Sequence, residues 1–287
     1  MSAMAAETPW TGGRLVFGRM FEDWLLEEEV LPAEGRILCI ASGGGTAFAL
    51  AARGRSVTAV DVNPAQVEEL RRRLAGAPPR RGAVDHMLAR LRLAGPLVGW
   101  TPARMRAFCD LADPAAQRRL WTERLDTRRF RAALALLLHP AALRTVYAPA
   151  LVRVLPPRFD RAIRARLARG FARHPNRDNL YARSLLLGEA PEPPPPGLRL
   201  ELACAEVAAY LDGCAPRSFD GFSLSNVLDG PGSDYAERLL HAVRRAAAPG
   251  AVLVLRSFGE PRTDAEDEWA ARDRALLWGS IRVEEIG

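Results

Sequence analysis

The feature that most restricts what this chain can fold into lies between Arg36 and Asp61. Arg36 to Ala41 reads Arg-Ile-Leu-Cys-Ile-Ala, the continuous apolar run expected of a strand buried on both faces. It ends in Ser42-Gly43-Gly44-Gly45, Thr46 to Arg53 follows with a helical pattern, and Ser56 to Asp61 is a second strand that stops on a carboxylate. This is a βαβ unit, and the α/β alternation it starts implies a mostly parallel sheet. Glycines at such a turn let the backbone approach a ligand closely. An acid at the tip of the second strand, 18 residues beyond Gly43, can accept protons from both hydroxyls of a ribose.

The alternation then breaks. From Pro64 the pattern is helical through Arg73, but the next strand, Leu198 to Leu202, comes about 125 residues later, far beyond what a crossover needs. Thr101-Pro102, Asp113-Pro114 and Asp126 before Thr127 each place a capping side chain ahead of a helical run, so the intervening segment is expected to be mainly helical. Pro191 to Gly197 is a proline-rich connector back to the sheet. After it come a strand at Leu198 to Leu202, a helix near Ala205 to Leu211, a strand at Phe219 to Ser225, a helix at Tyr235 to Ala247, a strand at Ala251 to Leu255 with Arg256 at its carboxyl edge, and a last strand at Ser280 to Ile286. The expected organisation is a helical lead-in over 1–35, a nucleotide-binding α/β domain built from 36–74 and 198–287, a helical insertion over 75–190 that covers the carboxyl edge of the sheet, and a connector over 191–197.

Charge is concentrated in the insertion. The chain has no lysine, and residues 71–183 hold 25 arginines against 7 acids, net +18, within a chain of net +6. Such a field attracts an anionic membrane surface or a nucleic acid. Asp160 to Arg173 is its most amphipathic part, with Ile163, Leu167 and Phe171 on one face and Arg161, Arg164, Arg166, Arg169 and Arg173 around the others; a helix packed by that apolar stripe with its arginines in solvent is the favoured reading over direct membrane contact. The segment has no recognisable RNA-binding module and few aromatics among its arginines, which argues against nucleic acid.

Other classes are excluded by length and composition. At 287 residues, 48% hydrophobic and 26% charged, the chain can bury a full core and is neither disordered nor fibrous. Its longest purely apolar run, Ala132 to Leu138, is far short of the roughly 20 residues that span a bilayer. Met1 to Trp10 has no basic patch before an apolar core, so the expected location is the cytoplasm, with peripheral contact at the inner membrane face if the basic insertion meets lipid. The four cysteines and four histidines are too scattered for a disulfide framework or a metal site, and no metal is expected.

The dinucleotide pattern Gly-x-Gly-x-x-Gly is absent; the turn aligns instead as Ala41-x-Gly43-x-Gly45, the looser form found in S-adenosylmethionine enzymes, where no pyrophosphate has to be held. Several blocks agree with one family of these enzymes. Phe17-Gly18-Arg19-Met20-Phe21-Glu22-Asp23, Leu38 to Gly44, Asp61-Val62-Asn63-Pro64-Ala65-Gln66, Asn179-Leu180-Tyr181 ahead of Gly188, Leu224-Ser225-Asn226 with Asp229, and Leu253-Val254-Leu255-Arg256 together resemble the 3-amino-3-carboxypropyl transferases of betaine-lipid synthesis. The chain departs from that pattern in Trp24, where a proline is common, and in Gly230, where an aromatic is common. The resemblance implies a class I methyltransferase-like (Rossmann-like) fold. It also implies S-adenosylmethionine as cofactor and transfer of its aminocarboxypropyl arm to the hydroxyl of a diacylglycerol-like lipid. On that reading Ser42, Gly43, Gly44, Gly45, Asp61, Asn63, Ser225, Asn226 and Arg256 hold the cofactor, with Arg256 on its carboxylate. Asp229 is the catalytic base, and Glu22 and Tyr181 close over the acceptor. An ordinary S-adenosylmethionine-dependent methyltransferase acting on a lipid or small molecule is the alternative, and an RNA-modifying or RNA-binding protein is the third reading.

Overall fold

The computed structural model describes residues 13–144, 149–190 and 192–287. Its centre is a six-stranded sheet in the order β3-β2-β1-β4-β5-β6, formed by β1 (Arg36–Ile40), β2 (Ser56–Asp61), β3 (Glu201–Cys204), β4 (Phe219–Ser223), β5 (Ala247–Ser257) and β6 (Ser280–Ile286). All neighbours pair in parallel except β6, which runs antiparallel to β5. This is an α/β fold with a mostly parallel sheet, an arrangement compatible with a Rossmann-like fold.

β1 carries Ile37, Leu38 and Cys39 fully buried because both faces of the sheet are covered. Leu26 and Leu31 beside α1 (Trp24–Val30), with Phe48 and Leu50 of α2 (Gly45–Ala52) and Leu70 of α3 (Pro64–Leu74), belong to one core cluster. Leu211 of α12 (Val207–Asp212) and Leu239 and Val243 of α13 (Ser233–Ala246) belong to another. Between α3 and β3 the described chain is helical: α4 (Ala83–Ala94), α5 (Pro102–Cys109), α6 (Pro114–Leu120), α7 (Arg128–Leu137), α8 (Pro140–Leu143), α9 (Pro149–Val154), α10 (Phe159–Arg173) and α11 (Leu180–Leu187). Thr101, Asp113 and Thr127 cap α5, α6 and α7 through side-chain oxygens, with proline in the first turn of the first two. These helices bury a third core of their own, in which Phe108, Trp121 and Phe171 meet as aromatic pairs. Leu276, from the loop after α14 (Asp264–Arg272), plugs into that core and ties the helices to the sheet domain.

Several boundaries differ from the sequence expectation. β3 starts at Glu201 instead of Leu198, because this edge strand pairs only along β2, from Thr58↔Glu201 to Asp61↔Cys204. β5 begins earlier, at Ala247, and accommodates Pro249 and Gly250 through a register shift opposite Phe219 and Gly221. α14, which the sequence reading passed over, is capped by Thr263 and has three acids in its first turn. Of the lead-in over 1–35, the first 12 residues lie outside the described set, and among the described ones only Trp24–Val30 is helical. Pro191 of the connector is likewise outside the described residues.

α10 is packed as an inner helix. Arg166 is buried and donates to the carbonyls of Leu277, Phe258 and Gly259, Arg169 and Arg173 pair with Asp267 (2.5 Å) and Glu268 (2.6 Å) of α14, and Arg164 lies 3.7 Å from Asp126. The packed helix expected from the sequence, rather than direct membrane contact, is what these pairs describe, and they leave Arg161 exposed.

Candidate functional site

The carboxyl ends of β1, β2 and β4 open into a cavity of about 1340 Å³ whose far wall is made by the helices between α3 and β3. Open α/β sheets hold ligands at this edge. From the sheet side come Ser42, Asp61, Asn63, Ser225, Asn226 and Asp229, and Glu22 reaches in from the segment before α1. The opposite wall is mainly leucine, including Leu88, Leu91, Leu134, Leu137 and Leu138.

Asp61 caps β2 with its carboxylate turned onto the neighbouring turn. Its Oδ2 accepts from the Ser42 N–H at 3.0 Å and its Oδ1 from the Asn63 N–H at 2.9 Å. Each carboxylate oxygen can accept a second bond, so two further donors can be received there. Burial raises its pKa to about 6, against the two backbone donors that favour the charged form. Ser42 itself has φ +42°, a left-handed conformation in a non-glycine residue, and is the one member of Ser42-Gly43-Gly44-Gly45 that lines the cavity.

The three glycines serve a different purpose from the one expected. A Cβ on Gly43 would lie 2.4 Å from the carbonyl carbon of Arg19, because the Phe17 to Met20 segment crosses directly over the turn. Gly44 has φ +81°, and a side chain there would strike the Phe48 ring at 2.6 Å. Gly43 and Gly44 are thus required by protein packed on protein, a Cβ on Gly45 would meet only Met20 Cβ at 3.3 Å, and none of the three is part of the cavity wall.

Gln66 is the positioning residue that the sequence reading did not single out. Its amide nitrogen donates to the carbonyls of Ser42 (2.6 Å) and Phe17 (2.9 Å), while its oxygen accepts from Val16 (2.8 Å) and Phe17 (3.0 Å). One buried amide therefore staples the crossing segment to the turn. The available signal was its place in the first turn of α3, three residues after the Asn63 cap. Asn63 is mainly structural too, accepting from Ala65 N–H and donating to the Arg14 carbonyl.

Arg256 corrects the expectation that it meets a ligand carboxylate. It lies outside the cavity, fully buried, and its guanidinium is shared among acids of the protein: Glu27 at both terminal nitrogens, Asp273 at 3.2 Å from Nε, and Glu22 at 3.5 Å. Three carboxyl groups thus face one cation. Glu27 takes the bidentate place and also accepts from Ser223 at 2.7 Å. Glu22 is left with the longest contact to Arg256, and burial, reinforced by Glu27 and Asp273, raises its pKa to about 7. Asp273 is raised to about 6, chiefly by burial.

Glu22 is the member of this cluster that reaches the cavity. Ser225, held at φ +54°, donates its hydroxyl to Glu22 Oε1, and its carbonyl accepts from Arg256 N–H at 2.8 Å. Asp229 is the weaker candidate for a base because its oxygens are already engaged, by the Ser257 hydroxyl at 2.6 Å, Phe258 N–H at 2.9 Å and Asn226 Nδ2 at 3.4 Å. Burial raises its pKa, and these donors work against the rise. Tyr181 stands outside the cavity: its hydroxyl accepts from Trp24 N–H at 3.3 Å, and Asn179 caps α11 while donating to the Arg274 carbonyl. The Asn179-x-Tyr181 block thereby joins α11 to α1 and to the loop after α14. Trp24 supplies an N–H that a proline at its position would lack.

Among the described residues no cluster of histidine, cysteine and acid side chains could hold a metal ion, and no helix is long and apolar enough to cross a membrane. Comparison of the chain with protein-family models, curated proteins and solved structures gives no match.

Proposed function

We propose that the chain is an S-adenosylmethionine-dependent transferase that moves the 3-amino-3-carboxypropyl group to the hydroxyl of a diacylglycerol-like lipid. The observation that carries this reading is the make-up of this cavity: a strand-tip carboxylate suited to a ribose opens into a leucine-walled space of about 1340 Å³. That volume exceeds the roughly 300–1,000 Å³ of an ordinary small-molecule site, so a nucleoside and an apolar second substrate have room together. The residues fit the nucleoside: Asp61 has acceptor capacity left for two ribose hydroxyls, and Ser42, Val62 and Asn63 flank it. The block order from Glu22-Asp23 to Arg256 supports the aminocarboxypropyl arm as the group transferred.

As a substrate, S-adenosylmethionine supplies a sulfonium with three electrophilic carbons, and the one aligned with the acceptor is transferred. The chain's task is orientation and proton removal. Glu22, at the junction of the Ser225 turn and the cavity, takes the proton of the acceptor hydroxyl as the C–O bond forms and the C–S bond breaks. A base with pKa near 7 is matched to that role at neutral pH.

The nucleoside product tests the reaction. With diacylglycerol as acceptor, mass spectrometry is expected to find 5′-methylthioadenosine; accumulation of S-adenosylhomocysteine with a methylated acceptor would replace this reading by a methyltransferase. Asp61→Ala is expected to weaken S-adenosylmethionine binding by about 1.5–3 kcal/mol, since the ribose hydroxyls lose their acceptor. Calorimetry on folded protein reads this directly, and unchanged affinity would put the ribose elsewhere.

A further inference from the structure

Leu93, Leu97 and Leu136 are 82%, 76% and 77% exposed, the three most exposed large apolar side chains among the described residues. They sit on adjoining elements. Leu93 lies in the last turn of α4 and Leu97 in the turn of 3-10 helix Gly95–Val98; the Val98 carbonyl accepts from the Thr127 hydroxyl that caps α7 (3.3 Å), and Trp100, just after the turn, stacks on Phe130 of α7 (4.4 Å). Leu93 and Leu97 also line the cavity, and a residue that is both lining and four-fifths exposed marks its mouth. On α7, Leu134 and Leu137 face the cavity while Leu136 faces out, so the end of this helix is apolar on both sides. A helix end of that kind calls for an apolar medium outside as well as inside.

Along the chain, the charge flanking these leucines has one sign. There is no Asp or Glu from His86 to Cys109, nor from Thr127 to Phe159. Arg90 stands three residues before Leu93 on α4, and Arg129 seven before Leu136 on α7, so each shares a helix face with its leucine. Arg90, Arg128 and Arg129 are exposed and have no acidic partner among the described residues. Leucines that insert, flanked by arginines that meet phosphate, are the chemistry of an anionic bilayer surface; a single-stranded nucleic acid would need exposed aromatics for stacking, which the described residues of this rim lack.

We propose that this rim docks on an anionic phospholipid bilayer, with Leu93, Leu97 and Leu136 entering the acyl boundary and the cavity mouth facing the lipid, so that the acceptor enters without crossing water. The proposal rests on a lipid acceptor for the same cavity and assigns the contact to α4 and α7 instead of α10. The test is sedimentation of the full chain with vesicles of phosphatidylcholine alone or mixed with phosphatidylglycerol. The wild type is expected to bind the mixed vesicles, more weakly as salt rises. Leu93→Ser/Leu97→Ser/Leu136→Ser is expected to bind at least about tenfold more weakly with an unchanged thermal midpoint. Arg90→Glu/Arg129→Glu is expected to lose the preference for anionic lipid, whereas Arg161→Glu is expected to keep it. Equal binding of wild type and the leucine variant, no binding by the wild type, or preference for single-stranded RNA over vesicles would overturn the docking surface. Release of methylthioadenosine with a short-chain soluble diacylglycerol, measured separately, would keep the reaction even then; vesicle binding without that product would keep the surface and discard the reaction.

Discussion

Replacing Arg256 with methionine is expected to cost about 3–5 kcal/mol of stability, the range found when one partner of a buried ion pair is removed. The effect is large because Glu22, Glu27 and Asp273 all converge on this guanidinium, whose side chain is fully buried. Without it the carboxyl groups of Glu22 and Asp273, already raised in the fold, can be accommodated only by protonation, which raises their folded pKa values further above the unfolded ones. A carboxyl raised in this way binds more protons folded than unfolded, so stability falls as pH rises from the unfolded pKa through the folded one. The deficit of Arg256→Met should therefore be greatest near pH 8 and shrink toward pH 5. Urea denaturation at the two pH values measures it. A variant as stable as wild type at pH 8 would show that the cluster is not what holds α1 to β5.

Glu22→Gln is expected to lower turnover by about 100-fold or more, the contribution of a positioned general base. Its stability should behave in the opposite way to its activity. The wild-type carboxyl is raised from 4.5 to about 7 in the fold, so ionising it opposes folding progressively between those pH values. A neutral amide of the same shape avoids this, and Glu22→Gln should be at least as stable as wild type at pH 8. A purely structural glutamate would lose both together. The pH profile separates the cases again: the ascending limb near pH 7 should disappear in the variant. Full turnover by Glu22→Gln, with loss of turnover in Asp229→Asn, would return the role to Asp229.

Local pattern made much of the scaffold legible. The apolar run of β1, the carboxylate that ends β2 and the alternation of β6 are periodicities of neighbouring residues, and they appear at Arg36–Ile40, Ser56–Asp61 and Ser280–Ile286 in the structure. Caps followed by proline at Thr101 and Asp113 are local for the same reason, since a side chain two or three residues away satisfies the first free N–H groups. Edges and bulges were less legible. The start of β3 depends on how far β2 extends beside it, and that is a pairing across 143 residues, from Thr58 to Glu201.

The site divides along the same line. Asp61 at a strand tip is a local feature, and the sequence by itself determined that a carboxylate would stand at the sheet edge. What a glycine, an arginine or an acid does there is decided by whatever packs against it. Gly43 leaves space that a ligand or a loop could fill, and only the path of Arg19 and Met20 over the turn assigns it to the loop. Arg256 at a strand end is equally suited to a ligand carboxylate or to Glu27, 229 residues away, and only the tertiary structure brings Glu27 to it. The exposed rim at Leu93, Leu97 and Leu136 follows the same logic, because an apolar residue on a helix belongs to core or surface according to what the fold places beside it. Hydrogen-bonded neighbours along the chain write their pattern into sequence; partners joined across the fold do not, since many spacings can close the same contact.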